Sequence, residues 1–174
     1  TITRLVCDRA FWGVASLFAL SIGVGLGLYT MMPLFLVNDV GMDRTPANLI
    51  TGLSRLSGLF SVFIAGALAD RIGRLRTVRL SLGAAGTCAV LLGVLRGPWI
   101  TPPLIFLQAA FAASFYPAGF SLLSSVFPLP VRNVAVSMVL ILASLIGAGG
   151  VPPLVGCLAY RYSFSFAFAA AGGT

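Results

Sequence analysis

Of the 174 residues, 59% are hydrophobic and only 9% are charged, with no histidine and a mean hydropathy of +1.04. A soluble domain carries roughly 25% charged residues, so a water-soluble globule is excluded, and so is any chemistry that needs an imidazole as base or metal ligand. All eleven positive charges are arginines, against the four acids Asp8, Asp39, Asp43 and Asp70, and the net charge of +7 punctuates long apolar runs. That is how membrane chains distribute charge; a nucleic-acid partner would need a basic face on a soluble module.

Crossing the ~30 Å hydrocarbon core takes about 20 helical residues. Five runs meet that length, over 11–36, 47–69, 78–95, 102–127 and 133–160. A sixth begins at 164 and reaches Thr174 incomplete. The chain starts at Thr1 without a methionine and stops inside an apolar run, so it reads as a fragment of a longer protein. The breaks carry turn residues: Asn38 to Gly41 and Thr45-Pro46 after the first run, Gly97-Pro98 and Pro102-Pro103 before the fourth, Pro128-Leu129-Pro130 after it. Barrel strands would be shorter and alternating. Cys7, Cys88 and Cys157 are too scattered for a disulfide or metal site and read as small packing residues.

Arginine placement sets orientation, because positive charge stays on the cytoplasmic side. Arg4, Arg9, Arg71, Arg74, Arg76, Arg79 and Arg132 fall on one side, and Arg44, Arg96 and Arg161 on the other. The Thr1 end and the 70–79 loop are therefore expected in the cytoplasm of a multi-pass protein of the plasma or inner membrane.

Within the second run, Asn48, Thr51, Arg55 and Gly58 fall on one helical face at 100° per residue, with Ser54 and Ser61 beside it. Arg55 is the charge deepest in any span. Insertion scales put its cost at ~2.5–3.5 kcal/mol, so such residues face a cavity or a partner, or snorkel to the surface. Tyr29, Gln108 and Tyr116 are further polar candidates, as cavity groups, interfacial anchors or interhelical hydrogen bonds. Gly23, Gly25 and Gly27, and again Gly147, Gly149 and Gly150, predict surfaces where helix backbones approach closely. Pro117, Pro152 and Pro153 predict bends.

The stretch from Gly66 to Arg76, Gly-Ala-Leu-Ala-Asp-Arg-Ile-Gly-Arg-Leu-Arg, joins the second and third runs. It resembles the signature loop of the major facilitator superfamily, Gly-x-Leu-Ala-Asp-Arg-x-Gly-Arg followed by basic residues, in the cytoplasmic turn after the second span of a six-helix unit. Gly66, Asp70, Arg71, Gly73, Arg74 and Arg76 fit; Leu75 stands where a second basic residue is usual. Independently of the family, Gly66 would let a helix end approach a neighbour, Gly73 would permit a tight turn, and Asp70 would meet a helix N-terminus or an arginine. In the family this loop latches two six-helix halves together in one conformation and releases them in the other.

The resemblance implies an all-α membrane fold, a six-helix half of a twelve-helix transporter with its sixth helix truncated, spanning residues 1–174. Two departures point to the C-terminal half. The fourth run has no arginine, which first halves usually carry there. The segment from Gly147 to Gly156 resembles a degenerate form of the glycine-proline motif in the fifth helix of antiporters, with Val151 and Val155 in place of glycines. The implied function is alternating-access transport of a small solute, with the missing N-terminal half and the bilayer as partners and no cofactor, metal or nucleic acid. A channel or a structural membrane subunit is the alternative. Enzymatic function is not expected, because no histidine is present and no acid sits within a run.

Overall fold

The computed structural model describes residues 8–95, 97–162 and 164–173; the expectations placed on Thr1, Arg4, Cys7, Arg96 and Thr174 lie outside them. Asp8 starts the first helix as its N-cap, its carboxylate accepting from the Ala10 amide at 2.9 Å. This satisfies one of the donors that a helix start leaves free. Helix α1 (Arg9–Ile22) passes through a π-helical segment (Gly23–Gly27) into α2 (Leu28–Asn38), and the three form one apolar span of 30 residues. There follow α3 (Arg44–Ile72), α4 (Arg74–Val94), α5 (Thr101–Val126), α6 (Leu129–Arg161) and the short α7 (Phe164–Gly172). Five spans are long and apolar enough to cross a membrane, and no strand occurs among the described residues.

The helices overrun the apolar runs at their ends. Helix α6 starts at Leu129, ahead of the expected 133, because Pro128 is its N-cap and Pro130 lies in its first turn. A proline there lacks only an N–H that would be unpaired anyway, and its φ is already helical. Pro102 and Pro103 likewise sit in the first turn of α5. Pro33, Pro117, Pro152 and Pro153 are inside helices, and each removes the amide donor owed to the carbonyl four residues earlier.

Neighbours close a ring: α3 packs on α5, α5 on α4, α4 on α7, α7 on α6, α6 on α1, and α2 back on α3. Its interior has two apolar layers. One, near the signature loop, gathers Phe11, Phe18, Val78, Phe115 and Val139; Phe18 and Phe115 meet edge to face at 5.0 Å. The other, at the opposite end, gathers Leu28, Met32, Phe35, Ile105 and Phe168; Phe35 and Phe168 stack at 4.9 Å. Between the layers the backbones of the π segment and α6 come together on glycine. A Cβ on Gly147 would lie 2.6 Å from the Ala19 carbonyl oxygen and 2.9 Å from the Gly23 nitrogen. Gly23 and Gly27 in turn face Val151, whose methyls would be 2.8 and 2.7 Å from an added Cβ.

The packing expected of the other two glycines in this motif is not found. An added Cβ at Gly149 would have a single neighbour, at 3.9 Å, and Gly150 has none within 4 Å. They fall on the side of α6 turned away from the π segment. The outward face of α3 is a continuous apolar stripe, with Leu49, Leu53, Leu56, Phe60, Phe63 and Ile64 all exposed. Trp99, Tyr160 and Tyr162 stand exposed at one end of the bundle and Trp12 at the other, where interfacial aromatics belong.

Candidate solute cavity and signature loop

The polar face predicted on α3 divides in two. Thr51, Ser54 and Gly58 are buried, on the side that packs against α5. Thr51 Oγ1 donates to the Ala47 carbonyl of its own helix at 2.7 Å, and a Cβ on Gly58 would lie 3.1 Å from Ala113 Cβ. Ser57 and Ser61 donate across the interface to the Phe106 and Ala110 carbonyls, at 2.8 and 2.7 Å. Ser57 and Ser61 thus fasten two helices together, while Thr51 is buried within the bundle. Its hydroxyl is satisfied locally and its side chain is enclosed.

Arg55 and Asn48 lie on the other side and are exposed. Asn48 lines a groove of about 460 Å³ with Pro33, Leu34, Val37, Asn38 and Arg44, between the end of α2 and the start of α3. Arg55, near mid-span, lays its guanidinium over the Tyr29 ring, 3.4 Å from its carbon to the ring centroid. Such a contact is worth ~0.5–2 kcal/mol depending on desolvation. It occupies the flat face of the guanidinium and leaves the in-plane N–H fork free. Among the described residues no carboxylate pairs with Arg55.

Tyr116 of α5 completes the constellation. Its hydroxyl lies in the field of Arg55 and beside Ser21 of α1. The Ser21 hydroxyl is buried without a well-formed hydrogen bond. Tyr116 packs beside Gly25, where an added Cβ would be in ordinary contact, 3.9 Å from the phenolic oxygen and 3.6 Å from Ala112 Cβ. Gln108 is enclosed, and its Nε2 donates to the Val24 carbonyl at 3.0 Å. Its place is that of an interhelical tie. The acceptor sits in the π segment, where the backbone ladder is out of α register; such segments recur at functional sites. The Gly-x-Gly-x-Gly run at 23–27 was the available sequence signal for it.

The signature loop is a single-residue joint. Gly73 closes α3 and opens α4 with φ +94° and ψ 146°, an extended positive-φ conformation that a side chain would strain. Gly66 has open space where a Cβ would be, so the close approach expected of it is not made within this chain. Asp70 and Arg71 occupy the last turn of α3, while Arg74 and Arg76 occupy the first turn of α4. An acid at a helix C-terminus and cations at a helix N-terminus both oppose the helix dipole. Asp70 is exposed and makes no hydrogen bond or ion pair among the described residues. Of the loop's charges only Arg71, a cation in the last turn of α3, suits the helix dipole on its own helix.

A ring of apolar membrane-length helices, with polar groups gathered on one side of it, defines a multi-pass integral membrane protein. The model of the Major Facilitator Superfamily matches residues 3–174, and the chain belongs to that superfamily. It is also similar to a protein of Haemophilus influenzae whose name describes metabolite transport, with 29% identity over 148 residues, 82% of this chain and 35% of the relative. The chain therefore spans about a third of that relative's length.

Proposed function

We propose that this chain is the C-terminal six-helix half of a twelve-helix secondary transporter, moving a small solute by alternating access against an N-terminal half. The Thr1 end and the 70–79 loop face the cytoplasm of the cell membrane. The observation that carries the reading is Arg55. It is a charge held in mid-span, stacked on Tyr29 with its donor fork unused, its field reaching Tyr116, and on a side of α3 that this bundle leaves uncovered.

A carboxylate or phosphate on the solute would meet that fork edge-on and take two charge-assisted hydrogen bonds. Tyr29 holds the guanidinium plane, which reduces the freedom lost on binding. The rocking of halves around a midplane site requires a contact that forms and breaks. Asp70, which makes no ion pair among the described residues, and the four arginines at 71, 74, 76 and 79 supply one.

The test is counterflow in proteoliposomes with the full-length protein and a panel of anionic solutes. Arg55→Gln is expected to lower flux about 10–100-fold, the equivalent of losing one or two charge-assisted hydrogen bonds. Arg55→Lys keeps the charge but not the fork and is expected to recover only part of it. Undiminished flux in Arg55→Gln would refute the assignment of Arg55. Flux that neither saturates nor accelerates with solute on the far side would refute a carrier and favour a channel.

A further inference from the structure

At the end of the bundle that carries the signature loop, a pocket of about 340 Å³ lies among the start of α4, the end of α5 and the start of α6. Its walls are Arg74, Ser121, Ser124, Ser125 and Arg132. Two arginines and three hydroxyls, with no carboxylate among them, make an unusual lining for a crevice in an apolar bundle. Arg132 is half-buried, and its Nε is fully enclosed with no hydrogen-bond partner. A buried guanidinium N–H left unpaired is costly. No carboxylate lines the pocket to neutralise it, and none of the serine hydroxyls there accepts from it.

The rest of the lining has the same character. Ser125 donates to the Leu122 carbonyl at 2.7 Å. Ser121 and Ser124 are half-buried and make no hydrogen bond among the described residues, so both hydroxyl hydrogens remain available. Helix α4 begins at Arg74 after Gly73, which provides no side-chain cap. Its first amides therefore have no partner within the helix, and Arg74, its first residue, lines the pocket. Helix α6 adds a second N-terminus, with Arg132 in its first turn, against the single C-terminus of α5. Beyond the walls, Arg9, Arg71, Arg76 and Arg79 outnumber Asp8 and Asp70 at this end of the bundle.

We infer that this pocket binds a phosphate group. Arg132 and Arg74 would grip its oxygens, and Ser121 and Ser124 would donate to it. The position at the edge of the apolar spans suits the headgroup of an anionic phospholipid, since basic pockets between membrane helices recognise such headgroups. A soluble phosphate offers the same chemistry. The inference is independent of the solute and of Arg55.

The experiment uses the full-length protein, purified in detergent and stripped of lipid. It is titrated with phosphatidylglycerol and, separately, with diacylglycerol of the same acyl chains, and retained lipid is counted by native mass spectrometry. Inorganic phosphate is titrated in parallel, with the thermal midpoint as the readout. Retention of phosphatidylglycerol over diacylglycerol, weakened at least about tenfold by Arg132→Gln, supports the inference and assigns a lipid. A phosphate-dependent rise in midpoint that Arg132→Gln abolishes, without lipid preference, supports it and assigns a soluble anion. The Ser121→Ala/Ser124→Ala double variant removes hydroxyls that no protein group uses, and should weaken binding several-fold even if Arg132→Gln fails to fold. Binding unchanged in both variants, equal retention of the two lipids without a phosphate response, or no binding of either probe would overturn it.

Discussion

Replacing Gly147 by alanine tests the glycine contact between the first span and α6 most directly. The new Cβ would lie 2.6 Å from the Ala19 carbonyl oxygen, 2.9 Å from the Gly23 nitrogen and 3.0 Å from Ile22 Cβ. Two of these are backbone atoms, so no side chain can swing aside. An ordinary C···O contact is about 3.3–3.6 Å, which requires the two helices to separate by roughly 0.7–1.0 Å. Overpacking of this kind costs about 1–3 kcal/mol, while alanine regains about 0.5–1 kcal/mol of helix propensity over glycine. The net expectation is a loss of roughly 0–2.5 kcal/mol, and of about 1–3 kcal/mol relative to an alanine that gains the same propensity without the clash. Gly149→Ala is the matched control: same motif, same helix, same propensity gain, and only one neighbour, at 3.9 Å. It should be neutral or slightly stabilising. The assay is denaturation of the full-length protein in detergent, heated or titrated with sodium dodecyl sulfate, with both variants side by side. Equal midpoints for Gly147→Ala and Gly149→Ala would refute the close approach of these backbones.

Two further outcomes follow from single positions. Gly73→Ala places a Cβ at φ +94°, ψ 146° and should cost ~1–3 kcal/mol in the same denaturation assay, with Gly73→Asn costing as much because this extended positive-φ region, unlike the left-handed helical one, is closed to asparagine too; an unshifted midpoint for alanine would show that the joint is built differently. Gln108→Leu removes the tie to the Val24 carbonyl at 3.0 Å and should destabilise by only ~0.6–1.5 kcal/mol, read as faster amide hydrogen exchange around the π segment; exchange unchanged there would mean the bond does not hold the segment.

The spans were legible because bilayer thickness is a hard ruler and nothing else in a short chain produces such apolar runs. Their ends were less so: Pro128 and Pro130 look like terminators in sequence but begin α6, since proline is excluded only from helix interiors. The site was half legible. Arg55 stands out by charge alone, and Tyr29 could be named, but their stacking depends on the packing of α2 against α3. The face drawn through Thr51 and Gly58 divides into buried and exposed members for a definite reason. A small polar residue that faces a cavity and one that fastens two helices have the same spacing and composition, and only the neighbour distinguishes them. Ser57 and Ser61 illustrate the second case. Arg132 reads in sequence as a topology marker, and its enclosure with Ser121 and Ser124 requires three helix ends to converge.

The apolar outer face of α3 bears on how a charged site enters the bilayer at all. During insertion the helix is judged as a single segment, before its neighbours can shelter Arg55. On insertion scales each leucine, isoleucine or phenylalanine contributes about −0.3 to −0.6 kcal/mol, so Leu49, Leu53, Leu56, Leu59, Phe60, Phe63 and Ile64 together supply roughly −2 to −4 kcal/mol. That nearly matches the ~2.5–3.5 kcal/mol that Arg55 costs. All seven remain exposed in this bundle, so packing within it does not require them. Polar replacements there would leave the contacts within this bundle intact and still strand the helix outside the membrane at synthesis. The greasy surface is the counterweight that lets the translocation machinery accept an arginine at mid-span.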